Sequence, residues 1–185
     1  MNKLEEKYKK EVIPGMMKKF GYKNRLAVPR VLKVVVNTGF GKTISGKTSD
    51  ETKKTINGIS EDLGLITGQK PLLTKSRKSI AGFKLRENIV IGAKVTLRGK
   101  RMYDFMERII DMTLPRSRDF RGIDTASFDK KGNLNLAVKE HIAFPEISPE
   151  RSKIIFGLEL TVVTNAGTNK EGVELLRALG FPIKI

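Results

Sequence analysis

The chain has no cysteine and no tryptophan, and only 6% of its 185 residues are aromatic. Without cysteine it can form neither a disulfide framework nor a thiolate metal site. The scarcity of aromatic rings disfavours proteins that bind single-stranded nucleic acid by base stacking. No apolar run is long enough to span a membrane, and the polar N-terminus resembles neither a secretory signal nor a transit peptide. We therefore expect a soluble protein of a reducing compartment, with no membrane partner.

Acidic residues are scarce where basic residues are abundant. Residues 1–121 contain 28 Lys and Arg against 12 Asp and Glu, a net charge of +16, whereas residues 122–185 contain 8 of each. Charge of one sign at this density repels itself in a compact fold and favours a polyanionic partner. The distribution predicts that the first two-thirds of the chain bind nucleic acid. A basic surface that only keeps the protein dispersed is the alternative.

The sequence contains little that could support catalysis. Its single histidine, His141, has no cysteine or second histidine with which to share a metal ion. Gly41-Lys42-Thr43 follows an apolar segment as the end of a phosphate-binding loop would, but that motif requires a glycine where Val36 stands. We expect no catalytic residue, no metal and no cofactor, and a nucleotide-dependent enzyme is kept as a rival class.

Hydrophobic periodicity predicts helices and strands in mixed order. Apolar residues at helical spacing predict helices over residues 3–20, 50–66, 100–114 and 168–179. Runs rich in β-branched and apolar residues predict strands at Leu32 to Val36, Pro71 to Thr74, Ile89 to Leu97, Leu134 to Val138 and Leu158 to Val163. Because the elements do not alternate strictly, we expect an α+β fold with a largely antiparallel mixed sheet and helices packed on one face.

Local signals refine this assignment. Pro14 and Gly15 are expected to kink or split the first helix, Ser49 or Asp50 to cap the second, and Gly180 to end the last. Residues 115–132 and 144–152 carry proline and charge without periodicity, and are expected to be exposed segments. A single domain spanning residues 1–185 is expected from the length of the chain.

The segment from residue 75 to residue 86 is the strongest candidate for phosphate contacts. It contains five cations and no acid: Lys75, Arg77, Lys78, Lys84 and Arg86. Serines and a glycine between them would let the backbone approach phosphate groups. Basic residues near the predicted strands extend the positive field: Arg30, Lys33, Arg98, Lys100 and Arg101. A solvated hairpin tip is the alternative. Because the chain has few aromatic rings and many cations, we expect its partner to be structured RNA or DNA, which it would recognise by the phosphate backbone and the shape of the nucleic acid.

Several long motifs make the chain similar to a known family. Residues 28–39 and residues 67–86 resemble segments of the bacterial large-subunit ribosomal protein that binds 5S ribosomal RNA. Shorter motifs follow in the order and spacing of that family: Lys94 to Gly99, Leu114 to Arg116, Asp119 to Gly122, Phe144 to Glu146 and Gly180 to Pro182. The resemblance covers nearly the whole chain, although Thr43 to Asp50 looks like an expanded turn whose contacts should not be transferred.

The resemblance implies a cytoplasmic, non-catalytic ribosomal scaffold that anchors 5S rRNA in the central protuberance. The implied 5S rRNA-binding residues are Arg30, Lys33, Asn37, Gln69, Thr96 and Arg98. The implied contacts to P-site tRNA are Lys75, Ser76, Arg77, Lys78, Ser79 and Lys84. An intersubunit bridge to small-subunit ribosomal protein thirteen is implied for Arg116, Arg118, Arg121, Phe144 and Glu146. The other implied partners are 23S rRNA and neighbouring large-subunit proteins. A generic basic nucleic-acid-binding protein, such as one that compacts DNA, is the runner-up.

Overall fold

The structure is a computed structural model that describes residues 3–83, 85–118, 120–150 and 154–184. Within these residues the α-helices are α1 (Lys3–Lys7), α2 (Ile13–Phe20), α3 (Gly41–Ile44), α4 (Ser49–Thr67), α5 (Gly99–Arg108), α6 (Leu114–Arg116) and α7 (Asn169–Leu179). The strands are β1 (Val31–Gly39), β2 (Leu72–Lys75), β3 (Val90–Leu97), β4 (Leu134–Val138) and β5 (Leu158–Thr164). The predicted α+β class is confirmed.

The five strands form one antiparallel sheet in the order β2-β3-β1-β5-β4. Every predicted strand is present, and β1 continues three residues past its predicted end, to Gly39. Leu158, Leu160 and Val162 of β5 are buried, while the residues between them are exposed or half-buried. This period of two is typical of an antiparallel sheet with one face on the core and one open face. It agrees with the predicted helix layer on one face only.

The contacts between residues divide the chain into two compact units. The first unit consists of Met1–Val35, Leu97–Leu136 and Leu160–Ile185, and the second of Val36–Thr96 and Ala137–Glu159. Each unit contains its own buried residues, among them Phe105 in the first and Leu63 in the second. The expectation of a single domain over residues 1–185 stays a prediction.

Two π-helical turns interrupt the predicted helices, and each precedes a proline. The turn Tyr8–Val12 connects α1 to α2, which has Pro14 in its first turn. The turn Ile109–Thr113 connects α5 to α6, which contains Pro115. Proline has no N–H for the helical ladder, and its ring conflicts with the carbonyl four residues earlier, so a wider turn relieves the conflict. The interruption expected at Pro14 and Gly15 therefore lies one turn earlier.

The capping residues were predicted with mixed success. Thr48, not Ser49 or Asp50, caps α4: its hydroxyl accepts a hydrogen bond from the Glu51 N–H at 3.4 Å. In return, the Glu51 carboxylate accepts from the Thr48 N–H at 3.1 Å, which completes a capping box. Gly180 ends α7 as predicted, with a φ of 114° that favours glycine.

His141 is a core residue of the second unit. Its ring is fully buried and stacks on Phe156 with centroids 4.0 Å apart. Nε2 lies 3.4 Å from the Asp62 carboxylate, and Nδ1 accepts a hydrogen bond from the Phe156 N–H at 3.4 Å. Burial lowers the pKa of His141, although the Asp62 carboxylate opposes that shift. The neutral imidazole, with its proton on Nε2, satisfies both partners.

The free energy of unfolding should therefore depend on pH through His141. Because the pKa of His141 is lowered in the folded state, this contribution is complete above about pH 7. It is lost as the pH falls below about 6.5, where the unfolded chain takes up the proton. We expect a loss of at most about 1.4 kcal/mol per pH unit below that value. Urea unfolding at pH 7.5 and 5.5 measures this change in the free energy of unfolding, and the same measurement on His141→Gln shows how much of the change depends on the histidine. Equal pH dependence in both proteins would contradict the assignment.

Candidate nucleic-acid interface

Strand β1 presents two of the predicted RNA-binding side chains on its open face. Val34, Val36 and Thr38 are buried, whereas Lys33 and Asn37 are half-buried. Because side chains alternate along a strand, Lys33 and Asn37 project from the same face, roughly 13 Å apart along it. A cation and an amide are thus held at a fixed spacing by the backbone of a central strand.

Strand β3 adds polar groups to the open face. Thr96 is half-buried and Lys94 is exposed, two residues apart on the same side of the strand. Gly92 continues this row, and a Cβ added there would lie 2.8 Å from both the Thr38 carbonyl and the Thr74 hydroxyl. Only glycine fits so close an approach. Sequence reasoning omitted Lys94 from the site, although its spacing from Thr96 would have identified it.

Gln69 is positioned by the end of α4. Gly68 closes the helix with a φ of 66°, and the Thr67 hydroxyl donates to the Gln69 carbonyl at 3.1 Å. The Gln69 side-chain amide then donates to the Thr96 carbonyl at 3.4 Å. Gln69 and Thr96, both predicted RNA-binding residues, are therefore brought together by the structure.

Arg30 and Arg98 lie beside strand ends in the first unit. Both are exposed. The Arg30 backbone makes two hydrogen bonds with Asn165: the Arg30 N–H donates to the amide oxygen at 2.6 Å, and the Arg30 carbonyl accepts from the Asn165 N–H at 3.2 Å. Arg98 has extended backbone just before α5. Each guanidinium is available to solvent while its backbone is fixed by a neighbouring element.

The basic loop, residues 75–86, exposes its predicted cations. Lys75, Arg77 and Lys78 are exposed, and none of the ion pairs between described residues involves them. Exposed cations that are not held in an ion pair are available to bind phosphate groups. Lys84 lies outside the described residues.

Ser76 has an internal role in this loop. It is only 5% exposed, and its hydroxyl donates to the Arg86 carbonyl at 2.6 Å and accepts from the Ile89 N–H at 3.1 Å. These bonds hold the two ends of the loop together. The Ser76 hydroxyl is therefore used inside the loop, and the contact with tRNA predicted for Ser76 stays a prediction.

The tip of the loop is a small hairpin. The backbones of Ile80 and Leu85 exchange two hydrogen bonds, at 2.9 and 3.2 Å. Ser79 is exposed, and its hydroxyl accepts from the Glu87 N–H at 2.9 Å. The loop is consequently tied at its base and at its tip, which limits the entropy lost when it binds a partner.

The first predicted bridge segment carries three exposed arginines: Arg116, Arg118 and Arg121. The sequence predicted one long exposed loop over residues 115–132, but Ile123 within it is buried and its backbone pairs with the C-terminal segment. Arg116 is the last residue of α6, and Arg118 and Arg121 therefore lie between that helix and the buried Ile123.

The second predicted bridge segment requires a correction. Phe144 is 0% exposed, so the expectation that it begins an exposed segment is wrong. Its backbone N–H donates to the His141 carbonyl at 3.1 Å, and its own carbonyl accepts from the Ile147 N–H at 3.2 Å. An aromatic ring gains more from burial than from exposure beside a proline. Glu146, two residues later, is half-buried.

Metal sites and membrane spans are missing from the part of the chain that the structure describes. No group of three or more His, Asp or Glu side chains there could hold a metal ion. No described helix combines the length and the apolar character needed to cross a lipid bilayer.

Comparison with known proteins decides the family. The family pattern described as ribosomal protein L5 matches residues 24–86, and the pattern for the C-terminus of the same ribosomal family matches residues 90–183. The large ribosomal subunit protein uL5 of Halothermothrix orenii is 50% identical over 182 residues, covering 98% of each chain. That of Syntrophomonas wolfei is 50% identical over 184 residues and 100% of each chain. The chain belongs to the ribosomal protein L5 family.

Membership of the L5 family fixes the coarse role of the protein. It is a structural component of the large ribosomal subunit, located in the ribosome in the cytoplasm, and not an enzyme. Its partners are ribosomal RNA and other ribosomal proteins. This agrees with the nucleic-acid binding predicted from the charge distribution, and the resemblance inferred from the motifs is confirmed.

Proposed function

We propose that the protein binds 5S rRNA and anchors it in the central protuberance of the large subunit. The observation that supports this most is the open face of the sheet, where Lys33, Asn37 and Thr96 project from rigid strands. Polar groups on a preformed face lose little entropy on binding and can read the shape and 2′-hydroxyl groups of a folded RNA. Arg30 and Arg98 add cations for the phosphate backbone.

The basic loop is proposed to contact P-site tRNA through Lys75, Arg77, Lys78 and Ser79. The support is its exposed cations together with its two internal ties. Lys84 was predicted as a further contact from the sequence. An elbow of folded tRNA offers closely spaced phosphates, which such a loop would meet as a unit.

The arginines at positions 116, 118 and 121 are proposed to bridge to small-subunit ribosomal protein thirteen, with Glu146 as a contact from the second segment. Phe144 would support that segment from the core, since its ring is buried. The remaining basic surface is proposed to meet 23S rRNA and neighbouring large-subunit proteins. Arg118 and Glu146 already make contacts within the protein.

Substituting Asn37 tests the sheet face. Asn37→Ala should weaken 5S rRNA binding by about 1–3 kcal/mol, because an RNA group would lose its hydrogen-bond partner in the interface. A filter-binding titration at fixed salt measures the change. Asn57→Ala, at an exposed amide of helix α4 and outside the sheet, is the matched control and should change binding little. An unchanged titration curve for Asn37→Ala would remove this residue from the interface.

Reversing charge on the loop separates the two RNA contacts. Arg77→Glu combined with Lys78→Glu should reduce retention of P-site tRNA on reconstituted ribosomes. Binding of isolated 5S rRNA should be nearly unaffected, because the loop is proposed to face the tRNA. Lys130→Glu with Lys131→Glu makes the same change of charge at another pair of adjacent basic residues and serves as the control. Equal losses of tRNA and 5S rRNA binding would refute a separate tRNA contact.

A further inference from the structure

Phe83 forms one wall of a groove at the tip of the basic loop. The residue is 71% exposed, which is the highest exposure of any phenylalanine among the described residues. The groove has a volume of about 710 Å³, and the other lining residues include Gly39, Gly41, Lys42, Leu85 and Ile91. Phe83 is thus not a single exposed ring but part of an apolar lining with Leu85 and Ile91, and apolar grooves of this kind are typical of binding sites.

The walls of the groove are fixed before any ligand arrives. On one side the Phe83 N–H donates to the Ile80 carbonyl at 3.2 Å, within the hairpin tip. On the other side the Phe40 N–H donates to the Ile91 carbonyl at 2.9 Å, which holds the end of β1 against β3. A ligand would therefore enter a preformed space.

Gly39 keeps this space open. A Cβ added at Gly39 would meet no atom within 4 Å, and Gly39 is not among the glycines with positive φ. Neither a close contact nor the backbone conformation therefore requires glycine at this position. A side chain there would occupy the groove.

The charge of the groove is entirely positive. Lys42 lines it, and an adjoining groove of about 350 Å³ shares Phe83 and adds Lys47 and Lys53. No acidic side chain is among the described residues that line either groove. A flat aromatic wall beside lysines complements a nucleotide, whose base can stack on the aromatic ring while the phosphate on its sugar pairs with a lysine.

We infer that this groove binds an unstacked nucleobase of a structured RNA, with the base face on Phe83 and its flanking phosphate at Lys42. The inference rests on the proposed function as an RNA-binding protein and adds a base-specific pocket to it. Folded RNAs present such bases in loops and bulges, where proteins stack them on aromatic side chains. Three RNAs could supply the base: 5S rRNA, 23S rRNA or tRNA.

A tryptophan at position 83 reports on stacking directly. The chain has no tryptophan, so Phe83→Trp introduces one indole at the groove, and an RNA base stacked on it should quench its fluorescence. The full-length variant is titrated separately with 5S rRNA, protein-free 23S rRNA and tRNA, while binding is followed independently with labelled RNA. Leu65→Trp places an indole at an exposed position of α4 that lines neither groove, and it should not be quenched.

The affinity of variants tests the same site without a fluorophore. For the RNA that quenches, Phe83→Leu should weaken binding about 5- to 100-fold, while Phe83→Tyr, which keeps the ring, should stay within about twofold. Gly39→Val should fold, because nothing crowds that position, and should weaken binding by blocking the groove.

The outcomes separate this inference from the proposed function. The RNA that quenches the indole of the Phe83→Trp variant identifies the source of the base. Normal RNA binding without quenching in every complex that forms overturns the groove assignment and leaves the proposed function intact. Absence of binding to all three RNAs overturns both.

Discussion

The affinity for 5S rRNA should fall roughly 100- to 200-fold between 50 and 200 mM salt. Four cations lie within or directly next to strands β1 and β3: Arg30, Lys33, Lys94 and Arg98. Each phosphate contact releases about 0.9 of a counterion from a duplex, so about four contacts give a log–log slope of about −3.6. Between 50 and 200 mM, a fourfold increase in salt, a slope of about −3.6 corresponds to the expected loss of affinity.

Single substitutions calibrate this electrostatic account. Lys33→Gln should reduce the magnitude of the slope by about one unit, because one phosphate contact is lost. Lys170→Gln removes a charge from the electrically neutral last third of the chain and should leave the slope unchanged. A salt-independent affinity would contradict the proposal. Duplex DNA that competes as well as 5S rRNA would instead favour a general nucleic-acid-binding protein.

Gly172→Ala should destabilise the protein by about 3 kcal/mol, at the upper end of the typical cost of overpacking, because the added methyl group would overlap backbone atoms. Gly172 is buried in α7, and a Cβ there would overlap the carbonyl group and Cα of Gly132. Gly132 has a φ of 72°, and a Cβ there would in turn lie 2.8 Å from the Gly172 Cα. The two backbones are in direct contact, and no side chain can be moved aside to make room.

The turn that carries Gly132 cannot easily retreat. The Asp129 carboxylate accepts hydrogen bonds from the N–H groups of Lys131 and Asn133 at 2.9 and 2.8 Å. The Thr164 hydroxyl donates to the Gly132 carbonyl at 3.1 Å. The turn is therefore tied at three points, and relief of the overlap would break some of these bonds.

A second helical glycine supplies the matched control for stability. Gly58 lies within α4, and a Cβ there would meet no atom within 4 Å. Gly58→Ala should therefore stabilise the protein by about 0.4–1 kcal/mol through helix propensity and reduced entropy of the unfolded chain. Urea unfolding of both variants measures the contrast. A Gly172→Ala protein as stable as the parent would show that the α7 contact can relax.

The sequence predicted the elements better than the details of the site. The predicted strand Leu134 to Val138 agrees at both ends with β4, and α7 begins one residue after its predicted start. Both segments have strong hydrophobic periodicity, and this pattern can be recognised from residues that are close in sequence. The cap at Thr48 and the π-helical turn Tyr8–Val12 were missed, because both depend on backbone hydrogen bonding that composition does not reveal.

For the candidate site, the residue types were predictable and their surroundings were not. Lys33 and Asn37 could be assigned to one face from the alternation of their strand alone. The burial of Phe144 and of Ser76 could not be predicted, because it depends on residues outside the local pattern of the sequence. The groove at Phe83 depends on Gly39 and Ile91 from two other segments, so no local pattern indicated it.

By itself the sequence determined the chemical character of the partner and the order of the helices and strands. Net charge and hydrophobic periodicity can both be read from the residues without knowing which of them are in contact in the fold. Tertiary structure decided which cations stay exposed, which polar groups are used internally, and where two backbones meet without side chains between them. Those features arise from contacts across long sequence separations, where packing and hydrogen-bond satisfaction override the preferences of single residues.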